Sequence, residues 1–118
     1  MMRITLDWPA AALWRNRKAH WATEKNARDA QREAAFCLAI LAGGRKMPFP
    51  PHRVHLTMTF CGPTRTSRYD LDGGLTACKG AIDGIAACLG VDDSLFSYTL
   101  ERGEKCKNGA VLVAIEVA

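Results

Sequence analysis

The amino-acid sequence predicts one α+β domain over residues 1–118, a mixed β-sheet with two main helices packed on it in the order βαβαββ. The first observation is length, because 118 residues fit one compact domain. The second is composition, because 48% apolar and 24% charged residues are typical of a folded globular chain. The third is that segments with strand periodicity alternate with segments of helical periodicity, and two strand patterns close the chain.

The N-terminal half predicts a strand followed by a long helix. Apolar and polar residues alternate over Arg3–Trp8, which predicts a strand that Pro9 ends. After a basic, aromatic and irregular segment at 10–22, Thr23 is a suitable N-cap for a helix that ends at the glycines 43–44. The apolar residues of this helix recur at steps of three and four, which predicts one buried stripe. The stripe consists of Ala27, Ala30, Ala34, Leu38 and Leu41.

The C-terminal half predicts a strand, a helix and a closing hairpin. Val54–Cys61 alternates between two sets of side chains, as a strand with one buried face requires. A helical pattern covers 75–89, where the apolar residues fall on one side. Two further strand patterns, at 96–101 and 110–117, are separated by a glycine-containing turn at 103–109 and predict a β-hairpin.

The apolar pattern argues against two classes of protein. No apolar run approaches the ~18 to 20 residues that a transmembrane helix needs. Residues 1–7 contain no apolar stretch of the kind found in a secretory signal. The five cysteines are an odd number without a C-x-x-C pair, and the three histidines complete no zinc-binding spacing. We therefore expect a cytoplasmic protein with reduced thiols.

The charges are distributed unevenly along the chain. Residues 1–68 carry 12 Lys and Arg against 4 Asp and Glu, whereas residues 69–98 carry one Lys against five Asp. A basic body around an acidic island suits a protein that holds a polyanion and places a cation against it. In the basic part, Lys25, Arg28 and Arg32 share a helix face. That face either follows a phosphate backbone or is solvated and partly neutralised by neighbouring carboxylates.

The acidic island holds two pairs of carboxylates. Asp70 and Asp72 stand between a strand and a helix, and in extended backbone their side chains point the same way. Asp92 and Asp93 follow after the helix has returned the chain. Converging carboxylates repel one another, and a divalent cation such as Mg²⁺ or Mn²⁺ relieves that repulsion because it prefers oxygen ligands. The pattern therefore predicts a metal site.

The same residues also have structural interpretations. An Asp-x-Asp pair is typical of turns and helix caps, and Asp92 with Asp93 can cap a short turn. Lys79 and Asp83 are i, i+4 neighbours on the predicted helix and therefore also predict an ion pair. In the basic segment, Trp14 and Trp21 suit either stacking on bases or burial in the core. The residues alone leave these alternatives open.

Several motifs together resemble the signature of the RusA-type Holliday junction resolvases, small endodeoxyribonucleases common in phages and prophages. They are Asp70-Leu71-Asp72, the pair Lys79 and Asp83, and Gly90-Val91-Asp92-Asp93-Ser94. The resemblance covers nearly the whole chain, and its specific part is 68–94. The sequence departs from the family pattern at Gly73, where the family usually has Asn, and in the longer spacing between the second Asp and the Lys.

The resemblance implies a homodimeric, Mg²⁺-dependent endonuclease that cuts four-way DNA junctions in recombination and repair, in the cytoplasm of a bacterial or phage-infected cell. Mn²⁺ is expected to substitute for Mg²⁺, and neither an organic cofactor nor a membrane partner is expected. The resemblance implies that Asp70, Asp72 and Asp93 are catalytic metal ligands. It also makes Lys79 a catalytic cation at the scissile phosphate. The cations that we expect to bind DNA phosphates are Arg15, Arg17, Lys18, Arg65 and Arg68.

Two other functions fit the same residues. A non-catalytic, basic nucleic-acid-binding module would use the acidic loop as a cap or a dimer contact, although carboxylates repel phosphate. A degenerate family member would bind junctions without cutting them, and the departure at Gly73 is compatible with that function.

Overall fold

The protein is built on a mixed β-sheet, seen in a computed structural model that describes residues 1–14, 20–46, 53–65 and 68–118. In this part of the chain the strands are β1 (Met2–Asp7), β2 (Val54–Cys61), β3 (Phe96–Arg102) and β4 (Ala110–Val117). The α-helices are α1 (Trp21–Leu41), α2 (Leu71–Ala77) and α3 (Lys79–Leu89), with short 3-10 helices at Ala11–Leu13 and Asp93–Leu95. A mixed sheet with helices packed on it confirms the predicted α+β class.

The strand order is β1-β4-β2-β3, so the predicted hairpin of the last two strands is wrong. β4 is antiparallel to β1 and β2, whereas β3 is parallel to β2 and lies at the edge of the sheet. After β3 the chain passes the end of β2, where Pro63 and Cys106 form an isolated bridge, and enters the space between β2 and β1. In that central position the side chains of Val111, Val113 and Ile115 are almost completely buried, whereas no residue of β3 is buried.

The two faces of the sheet differ as the alternation predicts. β2 has the predicted bounds, and its Val54, Leu56, Met58 and Phe60 have no exposed surface, whereas the residues between them are half-buried. The buried side chains form one core cluster with those of α3, including Ile82. The helices therefore cover one face of the sheet.

α1 begins three residues before the predicted position. The Nδ1 atom of His20 accepts a hydrogen bond from the Ala22 amide at 3.2 Å, so His20 is the N-cap and Thr23 lies inside the first turn. Histidine is not among the common N-cap residues, and the local pattern therefore pointed to Thr23. α1 is the longest helix described, and neither it nor any other described helix is long and apolar enough to cross a membrane.

The buried face of α1 is not the predicted apolar stripe. Its fully buried residues are Ala35 and Ala39. They are buried because α1 packs chiefly on α3, which presents Gly80 and Gly84 to the α1 backbone. Small residues on both helices allow this close approach. The face of α1 that is buried is therefore the one that meets α3, and not the one with the largest apolar side chains. The members of the predicted stripe that are exposed are Ala30, Ala34 and Leu41.

The contact between α1 and α3 predicts a large cost for a side chain at Gly84. A Cβ there would overlap the carbonyl oxygen of Arg32 and lie 3.0 Å from the backbone nitrogen of Phe36. We expect Gly84→Ala to lower the free energy of unfolding by about 1–3 kcal/mol, as overpacking does in other cores. Urea denaturation monitored by circular dichroism measures this.

Gly73→Ala is the matched control for that substitution, because Gly73 is also helical but has no heavy atom closer than 3.9 Å to an added Cβ. We expect it to keep the stability of the parent or to raise it by up to about 1 kcal/mol, since alanine favours helix over glycine. Equal unfolding midpoints for the two variants would rule out the close helix contact.

The predicted helix over 75–89 is two helices that meet at Cys78. α2 already starts at Leu71, whereas α3 ends as predicted at Gly90, whose φ of +68° is the left-handed conformation that favours glycine. The early start depends on Gly74, since a Cβ there would lie 2.7 Å from the Phe60 ring. The glycine lets α2 pack against the end of β2 and does not interrupt the helix. The buried side is as predicted and includes Cys78, Ile82, Ile85 and Leu89.

Candidate functional site

Most of the predicted site residues lie on segments that follow the carboxyl ends of the strands. β1, β2 and β3 run in the same direction, because β4 is antiparallel to β1 and β2, and β3 is parallel to β2. The carboxyl ends of these three strands therefore lie on the same side, which we call the carboxyl end of the sheet. The segment after β2 leads from the carboxyl end of the sheet to Asp70 and Asp72, at the start of α2.

An aromatic cluster of Trp8, Trp14, Phe60 and Tyr69 supports this segment. The ring centroid of Trp8 lies 5.4 Å from that of Trp14 and 5.0 Å from that of Tyr69. Hydrogen bonds fix the rings, since the Trp14 indole donates to the Pro9 carbonyl at 3.2 Å and the Tyr69 hydroxyl donates to the Phe60 carbonyl at 3.1 Å. The residue before the Asp70–Asp72 pair is thus held against the end of β2.

Asp70 and Asp72 lie two residues apart in the sequence at the beginning of α2, and both are exposed. Asp70 occupies the N-cap position with an extended backbone, and its carboxylate accepts no capping hydrogen bond. Asp72 is in the first helical turn, so the expectation of an extended Asp-x-Asp is wrong for its second residue. The pair is therefore not occupied in capping the helix.

Asp92 and Asp93 lie just before β3, at the amino end of that strand and therefore opposite the carboxyl end of the sheet. Asp92 caps the 3-10 helix by accepting a hydrogen bond from the Ser94 amide at 2.8 Å. Hydrogen bonds from Ser94 hold the pKa of the Asp92 carboxyl below its usual value. Burial, together with the carboxylates of Asp93 and Asp83, raises the pKa of Tyr98. Asp92 thus has the capping role of the structural interpretation, and Asp93 lies with Asp83 near Tyr98.

The three predicted metal ligands therefore belong to two places. The β2–β3 ladder runs through seven residue pairs from Val54 and Phe96 to Phe60 and Arg102. At ~3.3 Å per residue this separates the amino end of β3 from the carboxyl end of the sheet by roughly 20 Å. Among the described residues, no three or more His, Cys, Asp or Glu side chains form a group that could hold a metal ion. Within one chain, the structure does not bring Asp93 to the Asp70–Asp72 pair.

Lys79 is the first residue of α3 and is exposed. Ion pairs form on α1 between Lys25 and Asp29 at 2.7 Å and between Arg28 and Glu24 at 2.8 Å. The predicted pair of Lys79 with Asp83 does not form in the structure. The Lys79 ammonium is therefore not neutralised by a carboxylate of the described residues.

A cleft of about 320 Å³ lies between the first 3-10 helix, α1 and the junction of α2 with α3, and we call it the Lys79 cleft. Its charged residues are Lys79, Arg28 and Glu24, and Trp14 contributes an aromatic wall. The same Trp14 ring lies 3.9 Å from the position of a Cβ on Gly73. The Lys79 cleft and the start of α2 are thus neighbours on either side of Trp14. This tryptophan is half-buried among protein side chains, and its stacking on bases stays a prediction.

Further cations lie at the carboxyl end of the sheet. Arg68 and Arg65, which we expected to bind DNA, are exposed on the segment that leads to Asp70. Arg102 was not identified from the sequence: its guanidinium lies 4.7 Å from the centroid of the Tyr69 ring and donates to the Tyr69 carbonyl at 2.9 Å. Only the parallel pairing of β3 with β2 places it there, so no local signal indicates it. The expected DNA-binding residues outside the described part of the chain are Arg15, Arg17 and Lys18.

Comparison with known proteins gives a relative without a described activity. The chain matches no family model. It is 35% identical over 117 residues to a protein of Xylella fastidiosa strain Temecula1 described as an uncharacterized protein, with 98% of this chain and 76% of the relative covered. The chain belongs to the family of this Xylella protein. Membership in this family specifies no reaction, so the function is argued from the site.

The thiol next to Lys79, that of Cys78, is completely buried. Burial raises the pKa of the Cys78 thiol to about 12, and burial also raises the pKa of Cys88. Because the thiolate is the reactive form, we expect a disulfide reagent at neutral pH to label the exposed Cys37 and Cys106 first. Cys78 should react only after unfolding. Peptide mapping of the labelled protein identifies the cysteines, and rapid labelling of Cys78 in the folded state would show that its burial is wrong.

Proposed function

We propose that this protein is a metal-dependent, structure-selective DNA endonuclease of the RusA resolvase type, acting on four-way junctions. The observation that carries the proposal is that two exposed carboxylates, Asp70 and Asp72, lie at the start of α2, which adjoins the Trp14 wall of the Lys79 cleft. Phosphodiester hydrolysis requires an activated water and a cation at the phosphate oxygens, and these residue types serve those two needs. Such an enzyme would act in recombination and repair in the cytoplasm.

The Asp70–Asp72 pair fits a magnesium ion by the chemistry of its donors. Mg²⁺ prefers oxygen ligands and is usually held by one or two carboxylates together with waters and substrate phosphates. The exposed carboxylates of Asp70 and Asp72 would supply two such oxygen ligands without Asp93. When bound, the ion would acidify a water molecule and offset charge on the phosphate, and Mn²⁺ has the same ligand preference. We therefore propose a site of two carboxylates on each chain.

The remaining residues of this end would position the DNA. The Lys79 ammonium would lie at the phosphate oxygens, where charge gathers in the transition state. Arg65 and Arg68 would contact the phosphate backbone on the approach to Asp70. Arg102 holds the backbone of Tyr69 and so supports the start of α2. A homodimer with twofold symmetry would present two such sites to opposite strands of a junction.

A second candidate function is junction binding without cleavage, and the separation of Asp93 from Asp70 and Asp72 favours it. Against it stand the exposed carboxylates themselves, since they repel phosphate and would weaken a protein that only binds.

A cleavage assay distinguishes the two candidates. A synthetic four-way junction and a linear duplex of the same sequence are each incubated with the protein and Mg²⁺, Mn²⁺ or a chelator. We expect paired nicks in the junction with either ion and none with the chelator. Junction binding without nicks in any ion would establish the second candidate, and equal binding of junction and duplex would overturn both.

A further inference from the structure

The Lys79 cleft combines features that a nucleotide would recognise. A volume of about 320 Å³ falls within the range of small-molecule sites. Lys79 and Arg28 supply cations, Glu24 supplies one carboxylate, and Thr76 supplies a hydroxyl that donates to the Asp72 carbonyl at 3.1 Å. The three charged groups sum to one positive charge, so the cleft suits an anion.

The cations of the cleft are placed for an external ligand. One guanidinium nitrogen of Arg28, Nη2, donates to Glu24 at 2.8 Å, which orients the side chain along α1. A guanidinium has five N–H donors, and the pair with Glu24 uses one nitrogen, which leaves donors for an oxygen anion. Lys79 has no ion-pair partner among the described residues.

The aromatic wall of the cleft is rigid. Trp14 stacks on Trp8 with an interplanar angle of 28°, and its indole nitrogen is bonded to the Pro9 carbonyl. The ring therefore presents a fixed apolar surface to the cleft. A nucleobase packs on such a surface because every base has a flat π-face.

We infer that the Lys79 cleft binds one unpaired nucleotide, with its phosphate at Lys79 and Arg28 and its base against Trp14. The inference rests on the proposed function for the source of the nucleotide, which would be a strand at a branch point. Bases in a continuous duplex are stacked and paired, so they cannot enter a cleft of this size without being extruded. The cleft would therefore favour branched or frayed DNA over intact duplex.

The chain offers a matched pair of variants to test this. Arg28 and Lys25 both form an i, i+4 ion pair on α1, but only Arg28 lines the cleft. Binding of deoxyadenosine 5′-monophosphate, deoxyadenosine and inorganic phosphate is measured by calorimetry for the parent, Arg28→Gln and Lys25→Gln. We expect the monophosphate to bind the parent more tightly than either fragment. Arg28→Gln should weaken it about tenfold or more, and Lys25→Gln should leave it unchanged.

The outcomes separate this inference from the proposed function. Equal weakening in both variants, equal affinity for the monophosphate and for phosphate, or no binding to the parent would each overturn the inference, even if the protein cuts junctions. Specific binding without any junction cleavage would support the inference and contradict the proposed nuclease. A single-stranded oligodeoxyadenylate should compete with the monophosphate, whereas the same sequence as duplex should not. Competition by the duplex would again overturn the inference. Thermal melting of each variant confirms that it is folded, and in the parent, a nucleotide-induced shift of the Trp14 indole signal gives a readout that needs no variant.

Discussion

We expect Asp72→Asn to abolish cleavage of a four-way junction while junction binding stays at the parent level or becomes tighter. Asp72 is exposed in the first turn of α2, two residues after Asp70, and a neutral amide is a poor ligand for Mg²⁺. Binding is preserved because the substitution removes a negative charge that faces phosphate. Single-turnover cleavage with saturating enzyme measures the first effect. A gel-shift titration with chelator present measures the second.

Asp93→Asn is the control that separates a site of two carboxylates from one of three. Asp93 lies just before β3, at the end of the sheet opposite Asp72. Its replacement should therefore leave the cleavage rate within about twofold of the parent, which corresponds to a change in activation free energy well under 1.4 kcal/mol. Loss of cleavage in both variants would show that Asp93 takes part and that the proposed pair is incomplete. Parent rates in Asp72→Asn would show that the start of α2 holds no catalytic metal.

We expect Lys79→Ala to lower the single-turnover rate by ~10² to 10³, the usual effect of losing one donor that stabilises transition-state charge. Lys79→Arg should retain part of the rate, because a guanidinium fork does not reproduce the compact ammonium. The free energy of unfolding should not change, since Lys79 is exposed and makes no ion pair with Asp83 in the described structure. Junction binding by both variants should fall much less than the cleavage rate, because Arg65 and Arg68 would still contact the phosphate backbone.

Lys25→Ala is the matched control for Lys79→Ala, because it removes the same charge from an exposed position on α1 that lies outside the cleft. We expect its cleavage rate to equal that of the parent. An equal loss in both lysine variants would assign the effect to net charge. A parent rate in Lys79→Ala would exclude the catalytic role of this residue.

The features that the sequence predicted correctly are those that depend on neighbouring residues. Val54–Cys61 is a strand with the predicted bounds, because a period of two places alternate side chains on the buried face wherever the strand lies in the sheet. Gly90 ends α3 because its left-handed backbone is a local property that glycine favours. The capping of α1 by His20 shows the limit of this reasoning, since a less common residue makes the bond.

The predictions that failed concern partners distant in the chain. The pattern of 110–117 is that of a strand in either position, and only the sheet shows that β4 lies between β1 and β2. The buried face of α1 follows from the close approach of Gly80 and Gly84 on α3, which the periodicity of α1 alone does not contain. Such contacts depend on which surfaces fit together in three dimensions.

The candidate site also contains some features that neighbouring residues determine and others that depend on contacts between distant segments. The sequence by itself placed Asp70, Asp72 and Lys79 in one short stretch, and α2 begins at Leu71, ten residues after the end of β2 at Cys61. The tertiary structure decided that Asp93 lies at the end of the sheet opposite Asp72, because α2 and α3 return the chain to the start of a parallel strand. It also decided that Trp14 and Arg28 face Lys79, since side chains far apart in sequence meet only where packed elements bring them together.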